Sequence, residues 1–355
     1  MIYLRSKAVG IYSSLLAILI AGCSQQPQQR TVDRGFYYWK SIAGLNAAEQ
    51  QVLQQQKVGR LYLKFFDVTW NPQQQQAMPV AKLRFTEASR QFFRTSGMAI
   101  IPTVFITNET MQQLNATDLP TLAGQIGALL EGMIRQDSLE NIREIQFDCD
   151  WTAGTKDNYF TLLRLLQEQP VTRQRTVSAT IRLYQCKFRD RTGVPPVPRG
   201  LLMCYNMGNL KDPRTSNSIL DPEELKKYIG NLRPYPLPLD IGLPLFEWKV
   251  LYRRQLYTGL LQDLPDSLLK PAFAAAGPNH TWQLLQDTLL AQYDLKKGDL
   301  IRQEQPTFAA ITQAASLLSP QLPDNRFSVV LFHLDSLTLT NFSSHELEEM
   351  YNSLH

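Results

Sequence analysis

From about residue 36 onward, hydrophobic positions follow two alternating rhythms. Short runs rich in β-branched and aromatic residues read as strands, and the stretches between them mostly carry the three-to-four-residue spacing of amphipathic helices. Eight strand-like runs recur, at 36–40, 61–66, 99–107, 144–150, 177–185, 201–206, 239–246 and 328–334. Helix starts are marked by side chains able to cap free backbone N–H groups: Asn46 with Glu49 three residues on, and Asp221 followed by Pro222 and Glu224. Strand–helix alternation eight times over predicts an α/β fold, a single (β/α)8 TIM barrel spanning 35–355. Two places break the rhythm. Residues 187–200 are rich in Pro, Arg and Gly and leave little room for a full helix, and 249–326 reads as an insertion between strands seven and eight, expected to hold helices and a small hairpin near 293–302.

The first residues follow another pattern. Arg5 and Lys7 lead into an apolar run over 8–20, and the small residues Ala21 and Gly22 precede Cys23. The run is short for a membrane span, which needs about 20 apolar residues, and has the layout of a secretory signal peptide over 1–22. The segment Ile20-Ala21-Gly22-Cys23 resembles the lipobox of bacterial lipoproteins. That resemblance implies acylation of Cys23, a membrane partner through the lipid, and a polar lipidated tether over 23–34. Ser24 differs from the Asp that retains some lipoproteins at the inner membrane, so the outer membrane is the expected location.

A chain of 355 residues with 44% hydrophobic content can bury a large core. A net charge of +4 without a Lys/Arg run excludes a nucleic-acid-tracking surface. Cys149, Cys186 and Cys204 are odd in number and sit in apolar stretches, which argues for buried small hydrophobes over a disulfide framework. His280, His333, His345 and His355 show no ligand spacing, so no metal or cofactor is implied. A monomer is expected.

In such a barrel, function sits where the strands end. The two-residue period of strand four puts Gln146, Asp148 and Asp150 on the inner face and turns Phe147 and Cys149 toward the helices. By the same rule strand five offers Thr180, Arg182 and Tyr184, and strand two offers Tyr62 and Lys64. Two acids beside an Arg and a Lys can grip a polar substrate, or can form an ion network that satisfies only itself. Trp39, Trp70, Trp151 and Trp248 fall at or just past strand ends, as platforms for sugar rings or as rim packing.

Around these residues the sequence resembles the family 18 glycoside hydrolases, the chitinase-like barrels. Their strand-four motif D-x-x-D-x-D-x-E is matched by Asp148 and Asp150, with Ile145 at the first Asp and Thr152 at the catalytic Glu. Their strand-six motif M-x-Y-D is matched by Met203 and Tyr205, with Asn206 replacing the acid, and Gly242, Pro244 and Phe246 echo the strand-seven pattern Gly-x-Pro-x-Tyr. Many of those enzymes also carry extra structure after strand seven. The resemblance implies a glycan or polysaccharide ligand. Thr152 removes the proton donor of the family's substrate-assisted mechanism. Two functions are then open. One is a glycosidase with a relocated acid, in which Glu247 and Asp150 form the catalytic pair and Asp148 orients it. Lys64, Gln146, Trp151, Arg182, Tyr205, Asn206 and Trp248 would then contact substrate. The other is an inactive carbohydrate-binding or protein-interaction lipoprotein.

Overall fold

The computed structural model describes residues 30–354 apart from 231, 262, 263 and 279. The signal peptide, Cys23 and most of the expected tether lie outside the described residues. Among those described, eight strands close into a parallel barrel: β1 (Thr31–Tyr38), β2 (Arg60–Asn71), β3 (Ala99–Ile106), β4 (Glu144–Asp148), β5 (Thr176–Arg182), β6 (Arg199–Met203), β7 (Leu239–Pro244) and β8 (Arg326–Phe332). Each pairs in parallel with the next, and β1 closes the ring by pairing with both β8 and β2. The (β/α)8 barrel expected from the alternating rhythm is therefore the fold. No helix among the described residues is long and apolar enough to cross a membrane.

The caps also follow the sequence. Asn46 and Glu49 exchange side-chain-to-backbone hydrogen bonds of 3.0 Å in both directions, and the Asp221 carboxylate accepts from the N–H groups of Glu223 and Glu224. Two boundaries move. β1 starts at Thr31, inside the stretch expected as tether, because Thr31 to Arg34 take up register with Arg326 to Val329 of β8. β5 stops at Arg182, and Leu183–Lys187 turns into a short helix. There the Gln185 side chain accepts from the Arg182 N–H at 2.7 Å and donates to the Trp151 carbonyl at 2.9 Å, fixing the helical turn. Tyr184 thus leaves the inner face predicted for it and is 49% exposed.

The insertion is a correction. In place of helices with a hairpin, it forms a five-stranded antiparallel sheet in the spatial order Leu256–Leu261, Trp248–Arg253, Leu300–Glu304, Thr281–Leu284, Ala274–Gly277. Runs this short, broken by Gly and Pro, cannot complete the turns a stable helix needs. The sheet has its own small core, with Leu251, Leu284, Leu295 and Ile301 buried. The expected hairpin divides: Tyr293–Leu295 pairs back to Thr288–Leu290, while Leu300–Glu304 becomes a central strand. The helix Phe308–Leu318 already belongs to the barrel, burying Ile311, Ala314, Ala315 and Leu318 in the main core.

Inside the barrel, the layer nearest the strand starts is ionic. Arg60 meets Glu144 at 2.5 Å, Arg199 meets Asp240 at 2.8 Å, Ser178 donates to Glu144, and the Ser328 N–H donates to Asp240. Above it, the Tyr37 hydroxyl donates to Gln146 Oε1, and the Tyr37 ring lies 4.9 Å from that of Tyr62.

Candidate functional site

The C-terminal end of the barrel holds the remaining polar residues. Asp148, the last residue of β4, is almost fully buried, and Oδ1 accepts from the Thr180 hydroxyl of β5 at 2.5 Å. Burial, and after it the charge of nearby Asp150, pushes its carboxyl up to about 6. Asp150, two residues past the strand, stands in solvent. Both its oxygens are taken by Arg182, from Nε and, at 3.0 Å, from Nη2. Such fork-to-fork pairing fixes the guanidinium plane as well as its charge. The inner-face order read from strand four is therefore present, with Gln146 deepest, Asp148 above it and Asp150 at the rim.

A cavity of about 510 Å³ opens beside this pair. Its wall includes Asp150, Trp151, Arg182, Tyr205, Asn206 and Trp248, six of the residues proposed from the sequence as site residues, joined by Thr152, Tyr184, Tyr228 and Ser218, which were not proposed as contacts. The Tyr205 hydroxyl is buried and has no hydrogen-bond partner among the described residues. Asn206 holds a left-handed backbone conformation at φ 56°, which Asn tolerates better than most residues, and its N–H is tied to the Ile219 carbonyl.

Several predicted residues fall elsewhere. Glu247 is exposed, accepts from Gln303 Nε2 of the insertion sheet at 3.4 Å, and is absent from the cavity wall. It turns outward because the chain leaves β7 directly into the insertion, whose first strand begins at Trp248. Trp151 is 2% exposed, stacks on Tyr159 at 5.3 Å and donates Nε1–H to the Thr192 carbonyl at 2.8 Å. Its indole is packed into the core, and the residue also borders the cavity. Lys64 pairs with Asp67 at 3.1 Å, lies over the Trp39 ring and is not on the cavity wall. Gln146 is buried against Tyr37 and is not on the cavity wall. Thr152, at the position of the family's Glu, approaches Thr155 Oγ1 with its hydroxyl at 3.3 Å within a turn.

The sequence pointed to Trp39, Tyr205, Phe246 and Trp248 but not to Phe332, which joins them into an aromatic band. Phe332, ending β8, lies 5.7 Å from Trp39, 5.4 Å from Tyr205 and 5.5 Å from Phe246, and Phe246 in turn lies 5.4 Å from Trp248. Trp39, Phe332, Phe246 and Trp248 are all half-buried. The signal available was a large aromatic at the last inward position of a strand, given equal weight for Phe and Trp. Trp248 is held by Glu304, which accepts from the indole N–H at 2.8 Å, also takes the Ser218 hydroxyl and N–H, and pairs with Arg302. Through this buried cluster the insertion sheet fixes one wall of the mouth.

No protein-family model matches the chain, and no curated protein is significantly similar to it. Solved structures are similar in fold. A chitinase from Chromobacterium violaceum ATCC 12472 has a TM-score of 0.54 at 11% identity, covering 91% of this chain and 98% of that one. The Bacillus cereus spore cortex-lytic enzyme SleL has a TM-score of 0.55 at 12% identity, covering 92% and 75%. A GH18 chitinase from Cycas revoluta, in complex with (GlcNAc)3, has a TM-score of 0.53 at 11% identity, covering 91% and 100%. The barrel is thus of the chitinase-like type in fold.

Proposed function

We propose that this protein is a carbohydrate-recognition barrel that grips a glycan at its mouth without hydrolysing it, and that lipid on Cys23 holds it at a membrane surface, with the outer membrane favoured by Ser24. One observation carries the reading. Among the described residues, Asp150 is the sole carboxylate on the cavity wall, and both its oxygens are engaged by Arg182. Most glycoside hydrolases need two carboxyl groups flanking the bond. Here the relocated-acid scheme lacks Glu247 on the wall, and the family's own acid position is Thr152.

What the mouth offers suits binding. A sugar ring has one face of C–H groups that rests well on an aromatic face, and the half-buried band ending at Trp248 supplies such faces. Arg182, Asn206 and the unpartnered Tyr205 hydroxyl supply polar contacts for sugar hydroxyls. The bound (GlcNAc)4 and (GlcNAc)3 in structures of similar fold make N-acetylglucosamine oligomers the first probes.

Calorimetry with these oligomers and with peptidoglycan fragments, alongside product chromatography, tests the proposal. Saturable binding without products is expected, and Trp248→Ala should weaken it by about tenfold, a loss of about 1.4 kcal/mol. Cleavage by the natural protein that vanishes in Asp150→Asn would restore the hydrolase reading. No binding of any glycan would overturn carbohydrate recognition altogether.

A further inference from the structure

The opposite end of the barrel carries a second cavity, of about 540 Å³, opening where β1, β2, β3, β4 and β8 begin. Five cations line it: Arg34, Lys57, Arg60, Arg143 and Arg326. Only two carboxylates oppose them, and both are engaged. Glu144 is buried against Arg60, and Asp33 lies 3.4 Å from Arg326. Arg34 donates to the Gln56 carbonyl and to Asn352 Oδ1, with Glu348 at 3.8 Å. Lys57 and Arg143 are exposed and have no ion-pair partner among the described residues. The hollow therefore presents surplus positive charge in a concave, partly desolvated setting, where an anion is attracted more strongly than on open surface.

Its position names the partner. The chain enters the barrel at Thr31, on the rim of this hollow, eight residues after Cys23. Eight residues fully extended reach at most about 28 Å, so a lipid on Cys23 keeps this end of the barrel, and not the mouth, beside the bilayer. We propose that the cationic hollow at the N-terminal end of the barrel binds the phosphate of an anionic phospholipid headgroup in the anchoring membrane, docking the barrel so that its mouth faces outward. The proposal rests on the anchoring part of the proposed function. Arginine suits a phosphate through paired N–H donors, and each basic group near an anionic surface strengthens attachment by about fivefold.

The test uses the mature acylated protein on two kinds of vesicle, phosphatidylcholine alone and phosphatidylcholine with phosphatidylglycerol, read by flotation and by hydrogen exchange. Exchange protection of backbone around Lys57–Gly59 and Arg143 is expected only on the phosphatidylglycerol vesicles, and the double variant Lys57→Glu/Arg143→Glu should lose it while still floating. Both residues are exposed, so the variant's unchanged melting temperature serves as the folding control. Equal protection on both vesicles, or protection retained in the double variant, would overturn headgroup docking. So would protection by inorganic phosphate on phosphatidylcholine vesicles, which would mark a site for free phosphate. Failure to float on phosphatidylcholine would overturn the anchor alone. Flotation on phosphatidylglycerol vesicles that the double variant loses would then still support docking, and its persistence would overturn it.

Discussion

The two ends of the barrel use the same side-chain chemistry to opposite effect. Near the strand starts, Arg60 with Glu144 and Arg199 with Asp240 form pairs whose acids are buried and accept further hydrogen bonds, Glu144 from the Ser178 hydroxyl and Asp240 from the Ser328 N–H. At the strand ends, Asp150 and Arg182 pair at the rim, Asp148 is held by Thr180 alone, and the Tyr205 hydroxyl goes unmet. Buried pairs are costly to break because the survivor is left charged without water. Rim pairs contribute little to stability and remain available to a ligand.

The largest effect should come from breaking the lower network. Glu144→Ala strands Arg60 and should cost about 3–5 kcal/mol in urea unfolding, with glycan affinity unchanged at temperatures where the variant is folded. A loss below about 1 kcal/mol would show that this layer is no more committed to stability than the mouth.

Trp151 sharpens the contrast on the upper side. Trp151→Phe keeps an aromatic core but leaves the Thr192 carbonyl without its donor, at a cost of about 1–3 kcal/mol. If affinity falls while stability holds, the indole faces ligand after all.

The third test is a pH profile. Asp148 has a folded pKa of about 6 against an ordinary 3.8, so the folded state keeps this proton longer than the unfolded chain. The stabilisation it gives is present at low pH, is lost as pH rises from about 4 to 6, and the curve is flat above that, a drift on the order of 3 kcal/mol. Asp148→Asn should lack that drift, so that it appears in the difference between natural protein and variant; an unchanged slope in the variant would mean another group titrates there.

How far these features could be read beforehand depended on whether local pattern or tertiary placement decides them. The eight strands were legible because β-branched and aromatic runs bounded by caps leave few alternatives, and the inner face of β4 followed from its two-residue period. The depth of Trp151 was not legible because the strand ends at Asp148, and the following turn packs the indole onto Tyr159 while the residue still borders the cavity. Glu247 was misplaced because its direction is set by an insertion whose short strands resemble loops or, at Ala274–Gly277, a helix. The lower ion network was invisible because its members lie far apart in sequence and meet only when the ring closes.

The smallest effect is assigned to Glu247→Gln. With one long contact to Gln303 and an exposed side chain, it should shift stability by less than about 0.5 kcal/mol and leave affinity unchanged. A tenfold affinity loss would return Glu247 to the mouth and blur the contrast between a rim that binds and a flank that does not.

The double pairing of β1 has a mechanical consequence. Six of its residues are in register with β8 and four with β2, all in parallel. A tension applied through Cys23 and resisted by a ligand gripped at the mouth runs along β1, across the direction of its ladder hydrogen bonds. The strand is then loaded in shear, with its inter-strand bonds sharing the force rather than parting one after another as in a peeled edge. Because rupture under force follows the unfolding rate and not the equilibrium stability, a barrel held by that strand would endure pulls that would unzip a strand held from its side.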